Sequence, residues 1–315
     1  MQSRYSILSI CEYANGSSLY SRLRVVRITM VLIQQFVLGF VLSVSIGALA
    51  YRRKSLSAGG VVGATLVGTT IFGFGGWTWS MVLIVFFVLS SLLSKYKVST
   101  KAQLAIEKFD KDSQRDFGQV IANGGAGMLF AMFYGLWPHP VLFCGFVGAI
   151  ATVNADTWAT ELGVLSKSPP RLITTGKLVE PGYSGGISLV GTLAALVGSA
   201  VIGLTALGLL LMEAWLSHGG QLWLGGLAPW LVGIAIIGGM GGALFDSLLG
   251  ATVQIIFYDT ECQTETERPI NQTGQPNQPL RGWWWMNNDM VNFISSMIGA
   301  WLAGLVCVGL ILQSG

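Results

Sequence analysis

Asn154, Asp156 and Glu161, in the stretch ATVNADTWATELG at 151–163, close one of the most apolar segments of this chain. A further carboxylate, Asp246, lies within GGMGGALFDSLLGAT (238–252), and Asp289 opens NNDMVNFISS (287–296). A charge at the centre of a bilayer costs roughly 2.5–3.5 kcal/mol on insertion scales, so such a group normally faces protein, water or an ion. Between the first two clusters runs KSPPRLITTGKLVEPGYSGGIS (167–188), which brings Arg171, Lys177 and Glu180 and ends in the turn Gly182, Ser184, Gly185, Gly186. Phosphoryl transfer asks for this combination: magnesium held between carboxylates and phosphates, and positive charge with tight positioning on the transferring group. Asp156, Asp246 and Asp289 can hold one or two magnesium ions, and Lys177 and Arg171 can clamp phosphates. The backbone N–H groups of Gly182 to Gly186, just before a helix, offer an anion site without side chains. Asn123 and Glu161 join the substrate-binding set. Asn154, Asn288 and Asn292 can complete hydrogen bonds; on a helix Asn288 and Asn292 share a face at spacing four, and Asp289 and Asn292 at spacing three.

Each residue also has a plainer reading. Asp156 could cap a helix or pair with Arg171, Glu161 could be a solvated interfacial carboxylate, and Asp246 a buried hydrogen-bonded group. Asp289 could serve the start of its helix, where acids are favoured. The glycines could form an ordinary turn. What favours chemistry is that all of them fall on one side of a membrane.

That side follows from composition and charge. Of 315 residues 52% are hydrophobic and 10% charged, with a mean hydropathy of +0.62; a soluble domain carries about 25% charged residues. The 42 glycines suit closely packed helices, and a net charge of +3 is too small to imply nucleic acid. At roughly 20 apolar residues per span, the sequence divides into about eight candidate spans (seven to eight): 31–50, 58–74, 77–94, 118–136, 140–163, 184–213, 227–257 and 288–312. With eight spans, all 14 Lys and Arg residues after Met30 lie on one face, which the positive-inside rule makes cytoplasmic. The expectation is an all-α polytopic transmembrane bundle with its active face toward the cytoplasm. Asp246 then sits about 11 residues, or roughly 16 Å, below that face. Gly238 and Gly242 precede it, and Gly250 follows it, at intervals of four, so small residues line the helix face that carries it.

Residues 1–29 do not conform, because Arg22, Arg24 and Arg27 fall on the outward end of the first span. The segment lacks a signal-peptide core and cleavage site. It reads as a disordered or non-native leader, as an upstream start choice ahead of Met30 would produce, and 30–315 as a single integral membrane domain. The four cysteines are scattered singly, without zinc spacing. Soluble-kinase signatures are missing: Gly176-Lys177 is followed by Leu178, with no glycine five residues upstream, so this is not a Walker A loop. His139 and His218 lie on the far face, which speaks against a histidine base.

Taken in order, NADTWATELG (154–163), TTGKLVEPGYSGGISLVGT (174–192), GGMGGALFDSLLGAT (238–252) and NNDMVNFISS (287–296) resemble the motifs of the phytyl-phosphate kinase family, polytopic proteins of plastids and cyanobacteria with uncharacterised relatives elsewhere. The resemblance runs from about Arg53 to Ala300. It implies phosphoryl transfer, typically from CTP with magnesium, to phytyl monophosphate, giving phytyl diphosphate for tocopherol and phylloquinone synthesis. By motif, it assigns Asn154, Asp156, Thr157 and Glu161 to a first site element, Lys177, Glu180, Gly182, Gly185 and Gly186 to a phosphate loop, and Asp246 and Asp289 to the metal. It implies a bilayer, a prenyl monophosphate and a nucleoside triphosphate as partners and leaves a homodimer open. The location it implies is a bacterial inner (plasma) or thylakoid membrane. The insert 259–281 matches none of these motifs. The rival reading is a secondary transporter with a midplane carboxylate, since broken glycine-rich helices also mark substrate paths; against it, the far face offers only Glu213 and the two histidines.

Overall fold

The computed structural model describes residues 19–96, 114–217, 222–271 and 273–314. Among the described residues seven helices make the bundle: α1 (Leu19–Arg52), α2 (Ala58–Lys95), α3 (Phe117–Leu136), α4 (Pro140–Gly163), α5 (Leu189–Leu216), α6 (Leu231–Thr252) and α7 (Asn288–Ser314). Six of them, all but α3, are long and apolar enough to cross a membrane. Two short antiparallel sheets sit between helices at one end. One pairs β1 (Arg171–Leu172) with β2 (Gly186–Ile187), and the other has the order β4 (Thr264–Thr266), β3 (Ile256–Asp259), β5 (Gln278–Arg281). Sequence reading missed both sheets. The second is built from the insert at 259–281 and the turn before it.

Two of the segments expected as separate spans, 58–74 and 77–94, form the one helix α2, which is folded back on itself. A straight helix of 38 residues would be about 57 Å long at 1.5 Å per residue. Yet Lys95 Nζ, at its end, donates to the carbonyl of Arg53, just before its start, at 2.6 Å. The bend is at Gly76 (φ 76°, ψ −158°), a conformation essentially reserved for glycine. Arg115 ties the arms together. Its carbonyl accepts from Ser57 N, and its guanidinium lies 5.8 Å from the ring centroids of both Phe86 and Phe87. Ser57 caps the first arm through Gly60 N at 3.1 Å.

α4 is the centre. It is apolar on every side, as a helix surrounded by others must be, and every residue from Phe143 to Ala155 is buried. It packs against α5, α6, α7 and α3. Near its beginning Trp79 stacks among Tyr134, Phe143 and Phe146 at centroid distances of 4.9, 5.2 and 4.6 Å. This aromatic cluster fills the end of the bundle remote from the sheets. Cys144 and Cys307, far apart in sequence, are both buried in the same core cluster.

α1 extends upstream of the expected span: residues 19–29 continue it as helix. Residues 1–18 lie outside the described residues, as do Lys97, Lys101, Lys108, Lys111 and His218. The described basic residues after Met30 all belong to the end that carries the sheets, the basic end. Single cysteines placed at Lys54, Lys177 and Arg268 should therefore be labelled by an impermeant maleimide from the same side of sealed vesicles. Labelling of any two from opposite sides would break this topology.

Candidate functional site

Close approach of three helices builds the site from below. Gly148 and Thr152 on α4 face Gly238 and Gly242 on α6. A Cβ on Gly238 would stand 3.0 Å from Gly148 Cα and 2.7 Å from the Gly299 carbonyl of α7, and a Cβ on Gly242 would occupy the place of the Thr152 side chain. Thr152 Oγ1 hydrogen-bonds the carbonyls of Gly148 and Gly238 at 2.9 and 3.2 Å. Both helices carry their contact residues at intervals of four: 148, 152, 156 on α4 and 238, 242, 246 on α6. Residues so spaced share a helix face. One turn beyond the glycine contact, the two stripes therefore bring Asp156 and Asp246 into one cavity, close enough for each to feel the other's charge and that of Glu267. Asp246 Oδ2 is buried with no hydrogen-bond partner.

That cavity has a volume of about 510 Å³ and opens at the basic end. Three helix N-termini border it: α3 through Gln119 and Asn123, α5 through Ser188, Gly191 and Thr192, and α7 through Asn288 and Asn292. Helix N-termini present unsatisfied N–H groups and partial positive charge, which favours anions. The carboxylates of Asp156, Glu161, Asp246 and Glu267 line the cavity too. The cavity is thus supplied both for a cation and for phosphate.

Eleven of the expected site residues line it: Asn123, Asp156, Thr157, Glu161, Gly182, Ser184, Gly185, Gly186, Asp246, Asn288 and Asn292. Five are elsewhere. Asn154, two residues earlier on α4 than Asp156, is fully buried; its Nδ2 donates to the Gly198 carbonyl at 2.8 Å and ties α4 to α5. Arg171, Lys177 and Glu180 are exposed on the outside of the β1–β2 hairpin. Arg171 Nη1 donates to the Gly176 carbonyl at 2.9 Å instead of to Asp156. Asp289 is not among the residues that line the cavity; it lies beside the start of α3, where a Cβ on Gly118 would stand 2.5 Å from its Oδ2. Its own helix is capped by Asn287, whose Oδ1 accepts from Met290 N at 3.0 Å. The expected three-aspartate cluster is therefore not assembled, and among the described residues no three His, Cys, Asp or Glu side chains could hold a metal by themselves.

The glycine turn also differs from expectation. The amides of Tyr183 and Gly186 are already engaged by the carbonyls of Glu180 and Tyr183, which leaves fewer for an anion. Gly185 (φ 84°) is needed for packing: a Cβ there would stand 2.6 Å from the backbone N of Ala251 on α6. Valine at this position would fail because it strikes α6, before any ligand enters.

Two charged residues that sequence reading passed over complete the cavity. Glu267 follows β4; its Oε1 accepts from Ser184 Oγ at 2.7 Å and Gln254 Nε2 at 2.9 Å, so the second sheet hangs a carboxylate over the glycine turn. Arg115 is the cation that the exposed Lys177 is not. Burial pulls its guanidinium down to about 10, with nearby Glu161 acting in the opposite direction, and its Nη1 is buried without a hydrogen-bond partner. It remains charged at neutral pH. Both residues stand in polar loops, where one more charge makes no contrast with its neighbours.

A glycine-packed bundle with six helices long and apolar enough to cross a membrane is an integral membrane protein. The chain belongs to the integral membrane protein family DUF92, whose pattern matches residues 41–300. Among its relatives, Protein PGR of Arabidopsis thaliana is 32% identical over 87% of this chain and 96% of its own length. An uncharacterised membrane protein of Methanocaldococcus jannaschii is 34% identical over 64% of this chain and 75% of its own. Protein VTE6, chloroplastic, of A. thaliana is 28% identical over 80% of this chain and 65% of its own. No solved structure matches.

Proposed function

We propose that this protein is a membrane-embedded kinase that transfers a phosphoryl group from a nucleoside triphosphate, with CTP as the first candidate, to an isoprenoid monophosphate at the cytoplasmic face. Phytyl monophosphate is the candidate acceptor, and the diphosphate formed would serve tocopherol or phylloquinone synthesis. The observation that carries the reading is the 510 Å³ cavity in which half-buried aspartates from α4 and α6 meet three helix N-termini and Arg115. The relationship to Protein VTE6, chloroplastic, together with the four motifs, supports this reaction class.

In such a transfer a terminal oxygen of the lipid phosphate bonds to the γ-phosphorus, and the bond from that phosphorus to the β–γ bridging oxygen breaks. The products are the lipid diphosphate and a nucleoside diphosphate. A phosphate monoester is largely dianionic at pH 7, its second pKa being about 6, so the attacking oxygen needs no general base. This fits a cavity whose described lining includes no histidine. Magnesium fits the donor set: it is commonly held by one or two carboxylates plus substrate phosphates. Asp156 and Asp246 supply the carboxylates, with the orphaned Asp246 Oδ2 the natural donor. Bound there, the ion would offset charge on the phosphates. Arg115 and the N-termini of α5 and α7 hold phosphate oxygens in place, and Glu267 fixes the glycine turn beneath them.

The test is Mg²⁺-dependent conversion of prenyl monophosphates by purified protein with each of the common nucleoside triphosphates. Glu267→Gln should lower kcat/KM by about ten-fold or more, because a charge-assisted pair of hydrogen bonds to it is worth roughly 1.5–3 kcal/mol. Lys177→Ala, on the exposed hairpin, should change it little. No turnover with any nucleotide, or the reverse ranking of these variants, would defeat the proposal.

A further inference from the structure

A second cavity, of about 110 Å³, lies between α1 and the two arms of α2, with α3 as its floor. Its walls are apolar apart from two serines and one end: Gly39, Ala64, Val67, Phe72, Met81 and Phe87 are typical. At that end it shares Arg115 and Asn123 with the polar cavity. One buried guanidinium, with Nη1 unpartnered, thus stands at the junction of a charged space and an oily one.

We propose that this groove binds the isoprenoid tail of a lipid monophosphate, with Arg115 holding the phosphate at the junction. The proposal rests on the kinase reading for the reaction but commits to its own binding site. An amphiphile whose anionic head faces the polar cavity must send its chain into an apolar space beginning at the same point, and this groove does. Arg115 suits the head because a guanidinium offers a fixed fork of donors to phosphate oxygens. The arms of α2 give the chain an apolar wall, and the outer face of α1, with Phe40, Val41 and Val44 exposed, passes the remainder to the bilayer. The groove is much smaller than the polar cavity, so it reads the first part of the tail and leaves the rest to lipid.

Purified full-length protein would be photolabelled with a long-chain alkyl monophosphate carrying a diazirine on the head-proximal carbons, and the adducts mapped by mass spectrometry. Adducts should fall on the groove faces of α1 and α2, around Ser43, Ala64 and Met81. Phytyl monophosphate should suppress them and phytol should not. In the activity assay Ala64→Leu, which fills the groove, should raise KM for phytyl monophosphate by about ten-fold, as pocket changes of a few methylenes do, and leave KM for the nucleotide unchanged. Groove adducts from a protein without kinase activity would uphold the tail site and sink the reaction. Turnover with adducts only elsewhere, or adducts that phytol displaces equally well, would overturn the tail site and leave the kinase standing. Because the labelling uses the unaltered chain, the outcome does not depend on how well Ala64→Leu folds.

Discussion

Asp246→Asn should lose about two to three orders of magnitude in activity, the scale seen when one preorganised charge-stabilising group is removed, and should melt at the same or a higher temperature. The two halves of this result come from one geometry. Asp246 shares its cavity with Asp156 and Glu267, and both of those carboxylates act on it. Like charges crowded in a low-dielectric space repel, so a neutral, isosteric amide relieves strain even as it deprives a cation of its ligand. Asp156→Asn should behave alike. The measurements are initial rates at saturating Mg²⁺ and thermal unfolding of the same detergent-solubilised preparation. If Asp246 were a structural hydrogen-bonding group, the pattern would invert: lower melting temperature, activity largely kept.

Gly242→Val should cost both. The Thr152 side chain occupies the place of the missing Cβ, and overpacking of a close-packed contact typically costs about 1–3 kcal/mol. The melting temperature should drop by several degrees, roughly 2–4 °C per kcal/mol for a domain of this order. Activity should disappear because the helices that set Asp246 against Asp156 are forced apart. Gly208→Ala on α5 is the control, since a Cβ there meets nothing within 4 Å and alanine is the better helix former. Equal effects of the two substitutions would show that helix spacing is not what positions the carboxylates.

The parts of this molecule that sequence reveals are those where a residue contradicts its surroundings. Asp156 and Asp246 stand out because carboxylates are costly in apolar runs, and Gly238 and Gly242 because they repeat with the helical period on the same face. The helical segments follow from length and hydropathy, and even the break at Gly75–Gly76 shows as a glycine pair without basic neighbours. Legibility ends in the polar loops. Lys177 looked attractive beside a glycine, yet the β1–β2 hairpin turns it outward. Arg115 and Glu267 had no contrast with their neighbours; only the pairing of Ser57 with Arg115 and of Ser184 with Glu267 delivers them. Asp289 does not line the cavity with the other two aspartates but lies against Gly118 at the beginning of α3, a contact between helices that spacing along one helix does not reveal.

The fold-back at Gly76 decides more than the course of one helix. Sidedness in a polytopic chain is a matter of parity: each crossing exchanges the compartment that the next loop meets. If Ala58–Lys95 crossed once, as its unbroken hydropathy invites, every loop from Arg115 onward would emerge on the opposite side, and the carboxylate cavity would open to the other compartment. A single residue in a conformation open to glycine alone (φ 76°) thus makes the number of crossings in α2 even, and with it selects which compartment the polar cavity can draw on.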